Sequence, residues 1–176
     1  IILYGHSLGG NLVLYHSMKH ASKVAGVIAT SPGLEVTRVP PLKLLIGKAM
    51  YTIMPTFSMT NSLDVTGLST DQTVIDAYLR DPLVHPMVSA RLGIDLLDSG
   101  QWIRENGSMV KFKLLLVHGT EDRLANISGT RYFASHCDGT VTYKEFPGGY
   151  HELHNSPEKD QLFRVFLEWI NKEVLN

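Results

Sequence analysis

Hydrophobic positions along the chain fall into three textures. At the start, Ile1-Ile2-Leu3-Tyr4 is a short apolar run that passes into Gly5-His6-Ser7-Leu8-Gly9-Gly10. A helix-like segment follows over 11–20, where Leu12, Val13, Tyr15, His16 and Met18 mix two faces, as expected of a helix packed on a sheet. Residues 24–29 form a second continuous apolar run whose length favours a buried strand, ended by Thr30-Ser31-Pro32-Gly33. From Leu34 to about Gly107 no comparable strand occurs. Pro41 to Ile53 carries Leu42, Leu45, Ile46, Ala49, Met50 and Ile53 at helical spacing with proline at its start. Thr70-Asp71 opens a second helix that runs to Leu79 before Asp81-Pro82. Leu92, Leu96, Leu97 and Ile103 mark a third helical region over 88–105, with Gly100 as an interruption.

The third texture restores alternation. Residues 112–117 predict a strand that stops at His118-Gly119-Thr120-Glu121-Asp122-Arg123, and a helix is expected over 127–135. Residues 141–146 alternate apolar and polar as a half-buried strand does. Pro147-Gly148-Gly149 ends that strand, and Tyr150-His151-Glu152 follows. Pro157 starts a last helix with the core stripe Leu162, Val165, Phe166, Trp169, Ile170 and Val174. Strand, loop, helix, strand, loop, helix predicts an α/β fold: a parallel sheet flanked by helices. The organisation expected is residues 1–33 as sheet core, 34–107 as a helical insertion over the sheet, and 108–176 as core again.

Chemistry enters at the loop positions. Gly-x-Ser-x-Gly between an apolar strand and a helix is the pattern of a nucleophile elbow, a sharp turn that presents a serine hydroxyl at a helix N-terminus. Gly5 and Gly9 are expected where a side chain would clash. Chemistry in parallel sheets gathers at the carboxyl ends of the strands. Ser7, Asp122 and His151 each follow such an end. Glu121 is an alternative acid and His154 an alternative base. His154 with His151 forms a His-x-x-His pair, weak as a zinc site without a third ligand. His118 reads as structural support, His6 as poorly placed to act as base, and Trp102 and Trp169 as packing residues.

Composition narrows the classes. The 176 residues include 44% hydrophobic and 19% charged residues with a net charge of −1, an ordinary globular composition with no electrostatic footprint for nucleic acid. No apolar run is long enough to span a bilayer. Cys137 is the single cysteine; it excludes an intrachain disulfide, reads as a small apolar residue in a helix-like stretch, and fits a cytoplasmic compartment. Met50, Met54, Met59 and Met87 fall in the insertion, as adaptable lining for an apolar ligand or as gap-fillers.

Together, Gly5-His6-Ser7-Leu8-Gly9-Gly10, His118-Gly119-Thr120-Glu121-Asp122-Arg123-Leu124 and Gly148-Gly149-Tyr150-His151-Glu152-Leu153-His154 resemble the monoacylglycerol lipase and lysophospholipase branch of the α/β-hydrolases. Arg80-Asp81-Pro82-Leu83-Val84-His85 is similar to the cap of that branch. The resemblance implies a serine hydrolase cleaving carboxylic esters of lipids, with Ser7 as nucleophile, His151 as base and Asp122 as its partner. It implies Leu8 N–H as one oxyanion donor, a second donor supplied by a loop absent from this chain, and no cofactor or metal. It further implies eight central strands, of which this chain begins at the fifth, so that the N-terminal strands are expected to lie outside it. An N-terminal segment or another chain is then expected to cover the elbow-strand edge. A monoacylglycerol is the leading substrate, and transient membrane or micelle contact through the cap is expected. A lysophospholipid, suggested by Arg38, Lys43 and Lys48, or a short-chain ester is the alternative. An inactive binding scaffold is the alternative of another class.

Overall fold

The computed structural model describes residues 1–20, 24–36, 39–138 and 141–175. Arg38 lies outside the described residues. A four-stranded parallel sheet has the order β1 (Ile2–His6), β2 (Gly26–Thr30), β5 (Leu114–Gly119), β6 (Val141–Phe146). The inner strands β2 and β5 are buried along their whole length, which is why their sequences are continuously apolar. β6 is paired on one side and half-buried, and its sequence alternates accordingly.

The two-residue period of β2 and β5 splits the core into two layers. Val27, Ala29, Leu114 and Leu116 face one way and pack with Leu14 and Met18 of α1 (Leu8–Lys19), Ile103 of α4 (Ala90–Glu105) and Phe133 of α5 (Ile127–Ser135). Ile28, Leu115 and Val117 face the other way and meet Leu153 with Leu162 and Trp169 of α6 (Lys159–Trp169). A π-helical turn (Ile170–Leu175) extends α6.

Between β2 and β5 lies α2 (Pro41–Ile53), as its spacing predicts, then α3 (Gln72–Arg80) and α4. Asp71 caps α3 by accepting from Thr73 N at 2.8 Å, and Ser89 caps α4 by accepting from Leu92 N at 3.2 Å. Three features differ from expectation. Two three-residue strands, β3 (Ser58–Thr60) and β4 (Met87–Ser89), pair antiparallel; they are too short for alternation to register. Gly100 does not interrupt α4. It lets the helix approach the chain after β2, because a Cβ there would come within 2.6 Å of Leu34 O. Cys137 lies just beyond α5, half-buried, with its thiol donating to Phe133 O. Burial, with Asp138 nearby, pushes that thiol up to about 12, so it stays protonated at neutral pH. Among the described residues no helix is long and apolar enough to cross a membrane.

Candidate active site

The carboxyl ends of β1, β2, β5 and β6 lie side by side, and the site is built there. β1 turns into α1 through Ser7, which takes φ 54° and ψ −116°. A non-glycine residue in that region stores about 1–3 kcal/mol and persists only where its surroundings hold it. Here Ser7 N donates to Thr30 O at 3.0 Å, and Ser7 O accepts from Asn11 N at 3.1 Å and Gly33 N at 2.9 Å. Gly5 is required by close approach: a Cβ there would lie 2.2 Å from Gly9 O. Gly9 is not so constrained. A Cβ at Gly9 meets nothing within 4 Å, and the second tight position is Gly10, against Pro32. The helix turn carries residue 9 away from the strand and residue 10 toward it.

The loops that follow β5 and β6 bring Asp122 and His151 together. Asp122 has a fully buried side chain. Its Oδ1 accepts from Leu124 N at 2.8 Å and Ala125 N at 3.0 Å, and its Oδ2 lies 2.7 Å from His151 Nδ1. His118 Nε2 lies 3.1 Å from the same Oδ2 and 3.1 Å from Ala125 O. Burial by itself would raise the Asp122 carboxyl, but hydrogen bonds from His118 and His151 outweigh it and hold the group below the usual carboxylate range. A hydrogen bond to ionised Asp122 places the His151 proton on Nδ1 and leaves Nε2 as the basic nitrogen. Glu121 is exposed and takes no part in this pairing, which separates the two neighbouring acids.

His118 is fully buried at the end of β5, with Nδ1 2.9 Å from Thr130 Oγ1. It supports Asp122 from beneath. His6 Nδ1 meets Thr30 Oγ1 at 3.1 Å, and its ring centroid is 4.7 Å from that of His151 and 4.6 Å from that of His154. Burial, followed by the two neighbouring imidazoles, lowers His6 to about 3, so it is neutral throughout the physiological range. His154 is likewise lowered by burial. The three rings form a cluster of tilted and edge-on contacts beside the elbow. No hydrogen bond joins the Ser7 hydroxyl to His151 among the described residues. The two come together through shared neighbours: His6 precedes Ser7 in the chain, and Ser31 donates from Oγ to His151 O at 3.0 Å.

Ser31, Thr30 and Thr130 escaped the reading of the sequence. Ser31 is fully buried at φ 42°, and its only signal is its place between a strand end and Pro-Gly. Leu8 is the first residue of α1, so its N–H is one a helix cannot satisfy internally. Between α1 and α4 a mostly apolar groove of about 530 Å³ is lined by Leu8, Leu12, Leu92, Leu96 and Trp102, with Asn11, Asp95, Asp98 and Ser99 as its polar lining. Among the described residues no cluster of three His, Cys, Asp or Glu side chains is placed to hold a metal ion.

The chain is similar in sequence and fold to known proteins. A Paleococcus ferrophilus monoacylglycerol lipase of known crystal structure is 32% identical, superposes with a TM-score of 0.91, and matches 96% of this chain and 67% of its own. A Mycolicibacterium smegmatis monoacylglycerol lipase is 29% identical over 96% of this chain. An uncharacterized abhydrolase-domain protein of Dictyostelium discoideum is 32% identical over 99% of it. The chain spans 61% of the Mycolicibacterium protein and 19% of the Dictyostelium protein. A Saccharomyces cerevisiae monoglyceride lipase, 19% identical with a TM-score of 0.87 over 98% of this chain, shares the fold. The parallel sheet flanked by helices is the α/β-hydrolase fold, and the family profile for serine aminopeptidase S33 matches residues 1–158: the chain belongs to that family.

Proposed function

We propose that the chain carries the active centre of a serine hydrolase that cleaves carboxylic esters of lipids, with a monoacylglycerol as its substrate. The observation that carries the reading is the 2.7 Å contact between His151 Nδ1 and buried Asp122, beside a serine held at positive φ. Ser7 Oγ attacks the ester carbonyl while His151 Nε2 takes its proton. Collapse of the tetrahedral intermediate expels the alcohol, here glycerol, which receives that proton from His151. Water, activated by the same nitrogen, then releases the fatty acid from Ser7. Asp122 keeps the imidazole in the required tautomer and stabilises its cation. The Leu8 N–H donates to the oxyanion at the N-terminus of α1.

Residues 34–107 act in this reading as a cap. The groove beside Leu8 supports an apolar acyl portion, being of the size and lining of small-molecule sites. Leu42, Leu45, Ile53 and Leu83 are exposed on the inserted block and support transient contact with a membrane or micelle. The outer edge of β1, beside a groove lined by Ile2, Tyr4, Phe163 and Phe166, is where a further strand would pair, from an N-terminal segment or another chain.

The deciding experiment treats the full protein with a fluorophosphonate and locates the adduct. Labelling of Ser7, lost in Ser7→Ala, is expected, and a wild-type protein that resists labelling removes the reading. Hydrolysis across an acyl series, with amide analogues beside the esters, assigns the substrate. A steep fall beyond about six carbons would point to a short-chain esterase, and preference for the amides to a peptidase.

A further inference from the structure

Ser69 and Ser156 stand outside the machinery described so far. They lie 87 residues apart in sequence, yet their hydroxyls meet at 2.8 Å with 1% and 2% of each residue exposed. Two buried hydroxyls cost stability unless each is bonded, and here the bonds run one way. Asp71 N donates to Ser69 Oγ at 3.1 Å, and Ser156 Oγ donates to Glu152 O at 2.8 Å. With the Ser156 proton committed to that carbonyl, Ser69 supplies the proton between the two hydroxyls. The chain therefore starts at the residue capping α3 and ends on the backbone next to His151.

The same short stretch grips the histidine loop from its donor side. Glu152 N donates to Leu68 O at 2.7 Å and His151 N to Gly67 O at 3.3 Å. Beside them, Arg123 Nη2 donates to Thr66 O at 2.7 Å, which ties down the residue following Asp122. Residues 66–69 of the inserted block thus hold both loops that carry the acid and the base. On the other side Ser31 Oγ donates to His151 O at 3.0 Å.

We propose that Ser69, acting through Ser156, is a positioning residue for His151: the insertion sets where the imidazole stands relative to the elbow serine, and so sets the rate of the chemical step. Neither hydroxyl touches the substrate. The inference rests on the serine-hydrolase reading above. It makes the inserted block part of the catalytic support, where a cap that only selected substrates would alter KM and leave the chemical step alone.

The test measures kcat and KM on a short soluble ester in the full protein, with active sites counted by fluorophosphonate titration and thermal unfolding followed separately. Ser69→Ala and Ser156→Ala are each expected to lower kcat about tenfold with KM within about twofold, as a displaced catalytic group does. The double variant should be no slower than either single variant, because all three break one chain. Folded variants that lose thermal stability but keep wild-type kcat overturn the proposal, as does a double variant whose losses multiply. Should Ser69→Ala fail to fold, Ser69→Cys keeps the side-chain size with a weaker donor; reduced kcat supports the proposal and wild-type kcat overturns it. A wild-type protein that is not labelled at Ser7 removes the hydrolase reading instead, so the two failures are distinguishable.

Discussion

At the scale of the residue, the site depends on which proton sits where. Asp122 accepts from two backbone N–H groups on one oxygen and faces two imidazoles with the other. Asp122→Asn leaves the shape nearly unchanged but turns an acceptor into a donor toward His151. It is expected to lower kcat by about 10⁴ through the wrong tautomer, with thermal stability read alongside to separate chemistry from folding. Asp122 stays ionised far into acid, so on the proposed reading turnover should fall on acidification through a group other than Asp122, and a profile that stays flat into acid would contradict the proposed role of His151 as base. Ser7, His151 and Asp122 were legible as types at strand ends. Ser31 was not, because what it does depends on a carbonyl brought to it by a distant loop.

At the scale of the element, the inner strands carry the site by being rigid. Leu116 is fully buried in the layer formed with α1, α4 and α5, two residues before His118. Leu116→Ala should cost about 2–5 kcal/mol in denaturant unfolding, from lost burial plus the cavity. The elbow is stiff for another reason. Gly5→Ala would drive a Cβ into Gly9 O and displace the turn that holds Ser7, so fluorophosphonate labelling should fall even where circular dichroism shows the fold retained. Gly9→Ala, with open space around it, should be tolerated by the same measurements. The elements whose period is long enough, α2, α5 and β6, were readable from spacing. β3 and β4 were not, since three residues carry no period and their pairing is a long-range event.

At the scale of the whole molecule, the buried imidazole cluster is expected to couple stability to pH. His6 is lowered to about 3 from an unfolded value near 6.5, and His154 is lowered as well. Between those limits the unfolded chain binds more protons than the folded one, so stability falls as pH drops through that window, by at most about 1.4 kcal/mol per pH unit per group. Asp122 acts in the same direction further into acid, its contribution being lost as pH falls toward its depressed folded value. Thermal midpoints should therefore decline from pH 7 to pH 4, and His6→Gln should flatten that decline. A variant with the wild-type slope would show that the buried ring does not control it.

The sequence alone determined the alternation of strand and helix, the elbow, and the order of serine, acid and histidine, because each is a local pattern set by backbone period or turn chemistry. It also carried the resemblance that the comparisons support at the level of fold and family. The resemblance already favoured Asp122 over Glu121; tertiary structure alone decided that His6 is a neutral neighbour of His151 and that Gly10 rather than Gly9 is the tight position. It alone showed residues 66–69 gripping the acid and histidine loops. These are choices between residues of similar type, and what separates them is burial and the direction of a hydrogen bond, which exist only once distant segments are packed together.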